Sequence, residues 1–507
     1  MKLTVISKDG QQVISMREGL SVLQALTENK IYVTSPCGGK GICGKCKIRL
    51  VKGTLPVTEA DRRILTKEQI ELGIRLGCRA YLTEDATIEV EKEEEFQVVM
   101  NAMEVSENIK QNEDAQYGIA IDIGTTTIAM EVVDVKNKVI QNSYGELNRQ
   151  RSYGADVISR ISACNAGDLE KLRDTIRNQL REMIQRFELH SISKIAISAN
   201  TTMCHILMGY PCETLGVYPF EPVNVNTIRT NSQDLFGDSI PFCQVVILPG
   251  ISTFVGADIV SGLVSCGFSE TEKVSVLIDL GTNGEMAIGT KNQILVTSAA
   301  AGPAFEGGNI SCGTGSIPGA ISSVEIQYGM AKVRTIQDKD PVGLCGSGVL
   351  ELTAELLSNE LIDETGALDE RYFEEGFPVA LSNKGEVVFT QRDIREIQMA
   401  KSAVYSAATL MTRRYGVKID DVDKVYLAGG FGFHVNIEKA IAIGLLPKQW
   451  KEKITVVGNA SLRGAELALV EDDFIRKAEA VVEVASVLAL ANDKDFSELY
   501  TENMFFE

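Results

Sequence analysis

Three cysteines near the N-terminus, Cys37, Cys43 and Cys46, are spaced C-x5-C-x2-C within Ser-Pro-Cys-Gly-Gly-Lys-Gly-Ile-Cys-Gly-Lys-Cys, and a fourth follows at Cys78. Three thiolates on one Gly-rich loop with a fourth far downstream can hold a [2Fe–2S] cluster. Two irons bridged by sulfide need four soft anionic ligands. A short loop wraps them only if its backbone turns tightly, which Gly38, Gly39, Gly41 and Gly44 permit. Its amide N–H groups can then point at sulfur and tune the potential. The competing reading is a zinc site. Zinc sites usually pair two short C-x2-C knuckles, and only one such pair stands here.

The flanking pattern agrees with a small cluster-binding domain. Residues 2–6 and 12–15 read as a β-hairpin, 20–29 as a helix, and 46–51 and 87–91 as further strands. The loop resembles that of hydroxylase-type ferredoxins, one residue longer than the plant-type loop. The resemblance implies a β-grasp ferredoxin domain over residues 1–93. Residues 94–116 are charged, polar and weakly periodic, and read as a linker from which a tethered domain could swing. From 117 to 507 strands and helices alternate, the mark of α/β architecture.

The chain has 507 residues and a net charge of −19, which argues against nucleic-acid binding. The charge is uneven: residues 1–90 hold 14 Lys and Arg against 10 Asp and Glu, so the remainder carries −23. Lys40, Lys45, Lys47 and Arg49 surround the cluster loop, where an acidic redox partner could dock. No signal peptide and no apolar run near membrane-spanning length is seen, so a cytoplasmic, non-membrane protein is expected. Of 11 cysteines, the seven outside the quartet show no framework spacing, which suits a reducing compartment. Three His leave little room for His-based catalysis.

One internal echo organises the second part. Ile119-Ala-Ile-Asp-Ile-Gly-Thr-Thr-Thr-Ile-Ala-Met is a strand, a tight turn and a second strand, and Val276-Leu-Ile-Asp-Leu-Gly-Thr-Asn-Gly-Glu-Met-Ala-Ile has the same form. Asp at the end of a buried strand can hold the hydration shell of Mg²⁺. The Gly admits phosphate close to backbone, and Thr hydroxyls and turn N–H groups bind its oxygens. One such turn alone is weak, but two in matched settings are much stronger. A third element, Val425-Tyr-Leu-Ala-Gly-Gly-Phe-Gly-Phe-His, is a strand entering a Gly-rich turn, with a helix expected over 437–446.

These motifs resemble the superfamily of actin, the heat-shock chaperones and the sugar kinases, which clamps ATP and Mg²⁺ between two such turns. The resemblance implies a duplicated actin-like (RNase H-like) ATPase domain of two subdomains. Asp122, Gly124, Thr125, Thr126 and Thr127 match the first phosphate motif. Asp279, Gly281, Thr282, Asn283 and Gly284 match the second, and Gly429, Gly430 and Gly432 the adenosine motif. Glu285 is the candidate for positioning the attacking water.

A [2Fe–2S] ferredoxin fused to an actin-like ATPase resembles the ATP-dependent reductive activators of corrinoid proteins. Ala301-Gly-Pro-Ala-Phe-Glu-Gly-Gly, Cys345-Gly-Ser-Gly and Asp393-Ile-Arg-Glu-Ile-Gln-Met-Ala-Lys401 add to the match. The family implies a homodimer that reduces an oxidised Co(II) corrinoid of a methyl-transfer protein to Co(I), fed by an electron donor such as a ferredoxin or flavoprotein. ATP would offset the potential gap, since each ~59 mV uphill is about tenfold for one electron. The stretch from Ala300 to Gly319 is the favoured seat for the corrinoid protein, with Ser298 or Ser311 able to approach the corrin. Residues 148–156 receive no role. Some members have an extra domain after the ferredoxin, and others C-terminal cluster cysteines. This chain has neither. The alternatives are a small-molecule kinase with a regulatory ferredoxin, an ATP-driven electron donor to another low-potential enzyme such as a dehydratase, and a redox-sensing scaffold without turnover.

Overall fold

Alternating burial in the N-terminal residues, with Leu3 and Val5 inward, builds a hairpin of β1 (Lys2–Ser7) and β2 (Gly10–Ser15). A capping box between Ser21 and Gln24 then starts α1 (Val22–Glu28). Strands β3 (Lys47–Lys52), β4 (Ile74–Leu76) and β5 (Ala86–Glu89) complete a sheet of order β2-β1-β5-β3-β4, in which β1 and β5 run parallel. This is the expected β-grasp ferredoxin fold. Its core includes Leu3, Val22, Leu26, Ile48, Leu76 and Ile88. The sequence reading lacked β4 and the helices Glu59–Ile64 and Lys67–Glu71, each too short to show a period. The computed structural model describes residues 1–7, 10–17, 19–35, 37–90, 116–382, 385–429 and 435–506. The expected linker at 94–116 lies outside these apart from Gln116, as do Gly430 and Gly432.

The remainder is two lobes built on one plan. In the first, β6 (Tyr117–Ile123), β7 (Thr127–Asp134) and β8 (Val139–Leu147) form an antiparallel meander. Helices α2 (Val157–Ala163) and α3 (Leu169–Gln185) follow, then β9 (Lys194–Ala199), β10 (Ile228–Asn231) and β11 (Gln244–Ile247). The sheet order is β10-β11-β9-β6-β7-β8, with β9 parallel to β6. Buried on both faces, β6 reads as an almost continuous apolar run. The helix α4 (Ala257–Ser265) leads to the second lobe, where β12 (Ser275–Leu280), β13 (Gly284–Thr290) and β14 (Gln293–Ala299) repeat the meander. After α5 (Gln391–Tyr415) come β15 (Lys424–Ala428), β16 (Ile454–Gly458), α6 (Ala460–Val470) and β17 (Ala485–Val487). In the order β16-β15-β12-β13-β14-β17 the first five strands repeat β11-β9-β6-β7-β8, the sixth strand lying at opposite edges of the two sheets, and Asp122 and Asp279 occupy the same penultimate position of β6 and β12.

Two helices join the lobes. α4 and α6 pack on each other, and α6, although late in the chain, lies over β6 and β9 of the first lobe. A side chain at Gly464 would place its Cβ 2.4 Å from that of Ser261, so the helices meet almost backbone to backbone. The Ser198 hydroxyl on β9 links the two helices, bonding to Ser261 of α4 and accepting from Ser461 of α6 at 2.9 Å each. Gly348, on the helix Gly346–Ser358, packs closely against the carbonyl of Ile321 within the second lobe. Among the described residues no helix is long and apolar enough to cross a membrane.

One buried group works against the fold. Glu131 on β7 is fully buried, and neither carboxylate oxygen has a hydrogen-bond partner. Burial first, and then the charge of Glu466, outweigh Arg463 and push its pKa up to about 8. An unfolded Glu titrates near ~4.3. The folded state therefore holds the extra proton, and stability falls as pH rises from that value through about 8. Glu131→Leu is expected to raise the melting temperature by roughly 5 °C at about pH 8 and by clearly less at about pH 5.5. Scanning calorimetry at both pH values checks this, and equal gains would show that titration is not the cause.

Candidate functional site: a nucleotide cleft bordered by the cluster loop

Between the lobes opens a cleft of about 1600 Å³, lined by both D-x-G-T turns, Gly429, Asn459, Ser461 and much of the Gly-rich stretch 303–317. At the first turn the backbone carbonyls are tied down from behind. Asn148 Nδ2 donates to the carbonyl of Gly124 (2.9 Å), the Asn148 N–H to that of Thr126 (2.8 Å) and the Arg160 guanidinium to that of Thr125 (2.6 Å). Asn148 and Arg160 are fully buried. Peptide groups held by their carbonyls on one side present N–H on the other, and Gly124, Thr125, Thr126 and Thr127 all line the cleft. Asp122 accepts from Ser461 Oγ (2.7 Å) and Asn459 Nδ2 (2.8 Å), both from the start of α6.

The second turn is braced differently. The Thr282 hydroxyl donates to Glu306 at 3.0 Å, which ties the turn to the Gly-Pro-Ala-Phe-Glu-Gly-Gly run. Gly429 has φ +98°, and a Cβ there would sit 2.7 Å from Asp279 Oδ1, so the third motif presses directly on the second aspartate. Glu285 on β13 is the register partner of Asp279 and also faces the cleft. Gly284 does not line the cleft: it opens β13 and packs against Val404 of α5.

Sequence reasoning missed two carboxylates here, Asp258 in the first turn of α4 and Glu306. Burial, followed by mutual repulsion with Asp122 and Asp258, pushes Asp279 up to about 8. Burial likewise raises Asp258 to about 7, with the charge of Asp122 adding to it. Glu285 and Glu306 are raised chiefly by burial. So many carboxylates held away from water is an arrangement that a cation relieves. Among the described residues no three acidic, His or Cys side chains converge as direct ligands of one ion, so these groups suit a hydrated Mg²⁺.

Cys37, Cys43, Cys46 and Cys78 share one neighbourhood, with Cys43 bearing on the protonation of Cys37, Cys78 on that of Cys46, and Cys37 on that of Cys78, and four thiolates are the donor set a two-iron cluster takes. The loop glycines all have positive φ, from +58° at Gly38 to +80° at Gly39. Burial opposes the Cys37 thiolate, but N–H groups of Ile42, Cys43 and Gly41 outweigh it and hold its pKa below the usual thiol value. The Cys78 thiol brings Cys46 down to about 7, against burial. The donor set therefore fits a [2Fe–2S] cluster. Cys43, with Ile42 and Lys45, also lines the cleft that holds the phosphate turns.

The favoured corrinoid seat at 300–319 contributes the cleft's outer wall. Ser311 there is held by Asp393, which accepts from its N–H (2.6 Å) and its hydroxyl (2.5 Å). Ser298 does not reach the cleft and sits in the sheet opposite Glu285.

Comparison with known proteins divides the chain the same way. Residues 6–83 match the 2Fe-2S iron-sulfur cluster binding domain, 117–271 the RACo middle region, and 273–507 the C-terminal domain of RACo, the ASKHA domain. The corrinoid activation enzyme RamQ of Eubacterium limosum is 31% identical over 443 residues, covering 82% of this chain and 74% of RamQ. A [Co(II) methylated amine-specific corrinoid protein] reductase of Methanosarcina barkeri is 25% identical over 76% of each chain. A solved reductive activator for corrinoid,iron-sulfur protein superposes with a TM-score of 0.71 at 26% identity, covering 99% of this chain and 98% of that one.

Proposed function

Because this chain belongs to the family of corrinoid-activating ferredoxin–ATPase proteins, we propose that its cleft hydrolyses ATP to drive one-electron reduction of a Co(II) corrinoid to Co(I). The observation that carries the reading is the shared cleft: phosphate turns from both lobes and the cluster-loop residue Cys43 border one space. Cys37, Cys43, Cys46 and Cys78 hold the [2Fe–2S] cluster, which when bound supplies a one-electron carrier.

Asp122 and Asp279, one from each lobe, would hold a hydrated Mg²⁺, which when bound would supply positive charge to the phosphates. The turns at 124–127 and 281–283 give N–H and hydroxyl groups to phosphate. Glu285 orients the attacking water, and Gly429 keeps the backbone low enough for the nucleoside. Because the turns belong to different lobes, losing the γ-phosphate removes a bridge between them, and the lobes can part. Hydrolysis thereby releases the reduced partner rather than phosphorylating it, and a stable phosphorylated partner would overturn this. The partners are a corrinoid protein of a methyl-transfer system and a ferredoxin or flavoprotein donor. The chain acts as a homodimer through its ATPase part.

Anaerobic absorption titration of a Co(II)-loaded corrinoid protein, with this protein and a reductant, tests the reading. The Co(I) band is expected only when ATP is added. Failure across several corrinoid proteins despite an intact cluster and ATP turnover would assign the electron elsewhere.

A further inference from the structure

The cluster-binding domain is clasped to the first lobe beside the phosphate turn. Lys30 Nζ lies 3.7 Å from Glu182 on α3, and Arg149 reaches the same carboxylate at 2.5 Å. The Arg149 guanidinium also stands over the Tyr32 ring, 5.5 Å from its centre. The Ser35 N–H donates to the Arg151 carbonyl, and a Cβ at Gly38 would lie 2.8 Å from the Tyr153 carbonyl. The seat, residues 149–153, directly follows Asn148, the residue that ties down Gly124 and Thr126 of the phosphate turn. So clasped, the domain forms one wall of the cleft through Thr34, Ile42, Cys43 and Lys45.

That wall meets an electrostatic need. Glu89, Asp122, Asp156, Asp258, Asp279, Glu285, Glu306 and Asp393 line the cleft, and among the described residues its cations are Lys45, Arg151 and Arg392. A triphosphate entering so acidic a space needs cations beyond one Mg²⁺. Neither phosphate turn carries a Lys or Arg. Lys45 is exposed at the cleft and forms no ion pair with a described residue. Lys45 sits directly between Gly44 and the cluster cysteine Cys46 in the chain and also lines the phosphate cleft, so one residue borders both the cluster loop and the nucleotide space.

We infer that the ferredoxin domain is part of the nucleotide site, with the Lys45 ammonium pairing to nucleotide phosphate, so that nucleotide affinity and cluster charge depend on each other. This rests on the ATPase reading above and adds a residue from outside the ATPase fold. The direction of the coupling follows from charge. The reduced cluster carries one more negative charge at the cleft wall, so the nucleotide binds the oxidised form more tightly. By reciprocity, bound nucleotide lowers the cluster potential and makes the reduced cluster a stronger donor.

The test uses the full chain with its cluster intact. Fluorescent-ATP titration is expected to show affinity falling roughly tenfold in Lys45→Ala and further in Lys45→Glu, with recovery in Lys45→Arg. Lys47→Ala, exposed on β3 away from the cleft, serves as the unchanged control. Glu182→Ala, which opens the clasp, is expected to weaken binding in the same direction. In dye-mediated reductive titration, where the oxidised cluster takes one electron from the mediator, ATP with Mg²⁺ should lower the wild-type midpoint. The shift is ~59 mV for each tenfold difference in affinity between the two redox states. Lys45 variants that bind ATP like wild type, or a midpoint indifferent to nucleotide, overturn the inference. Corrinoid reduction by the wild-type protein would leave the reading it rests on standing in that case. A wild-type chain that binds no ATP would overturn both.

Discussion

Asp279→Asn is expected to lower kcat for ATP hydrolysis by about 10³-fold while the melting temperature stays level or rises. Asp279 is the penultimate residue of β12, with Gly429 pressed against one of its oxygens. Burial and the charges of Asp258, Asp122 and Glu306 surround it with cost. Asparagine keeps the shape and removes that repulsion, so folding should not suffer. What is lost is the charge that holds Mg²⁺ against the phosphates. Asp122→Asn should lose activity similarly but also some stability. Both Asp122 oxygens already accept, from Ser461 and Asn459, and an amide NH₂ would face a donor. Steady-state ATPase assays beside thermal unfolding separate the two. A loss under about tenfold for Asp279→Asn would show that this carboxylate is not at the reacting phosphate.

Cys46→Ala is expected to abolish the visible absorption of the cluster and to drop corrinoid reduction to background. ATP hydrolysis at saturating nucleotide should persist. Cys46 is buried in the domain core beside Cys78, so its loss removes half of one iron's protein ligands. The cores of the lobes are separate from that of the ferredoxin domain, so the nucleotide cleft is expected to survive loss of the cluster. With the loop collapsed, Lys45 would leave the cleft wall, so apparent ATP affinity should fall even though turnover survives. Optical spectra, iron analysis and the two assays on one preparation settle the matter. Corrinoid reduction without the cluster absorption would mean that the electron travels another way.

The cluster and the phosphate turns were legible in the sequence because their chemistry is local. Cys37, Cys43 and Cys46 lie within ten residues, and each D-x-G-T turn carries its own Gly and hydroxyls. The groups that went unread are those that topology imports. Asn459 and Ser461 reach Asp122 from more than three hundred positions away, because α6 crosses to the first lobe. Asp258 looks like an ordinary first-turn acid until α4 is placed between the sheets. Glu306 did carry a signal, as the acid inside the Gly-Pro-Ala-Phe-Glu-Gly-Gly run that adds to the family resemblance, but nothing local shows that Thr282 is its partner. Residues 148–156 looked merely polar. Their significance comes from facing two ways at once, toward the phosphate turn through Asn148 and toward the ferredoxin through Arg149, Arg151 and Tyr153.

The path of α6 also sets the order in which the molecule comes into being. A ribosome delivers the first sheet long before residues 460–470, yet that helix covers β6 and β9 and supplies both partners of Asp122. The nascent first lobe therefore waits with an apolar face bare, and its aspartate unsupported, until a segment 337 residues further along the chain has been made. A truncated product cannot turn over nucleotide idly, and the exposed face marks it for chaperones or proteases. The nucleotide site is completed only when α6 closes over the sheet of the first lobe.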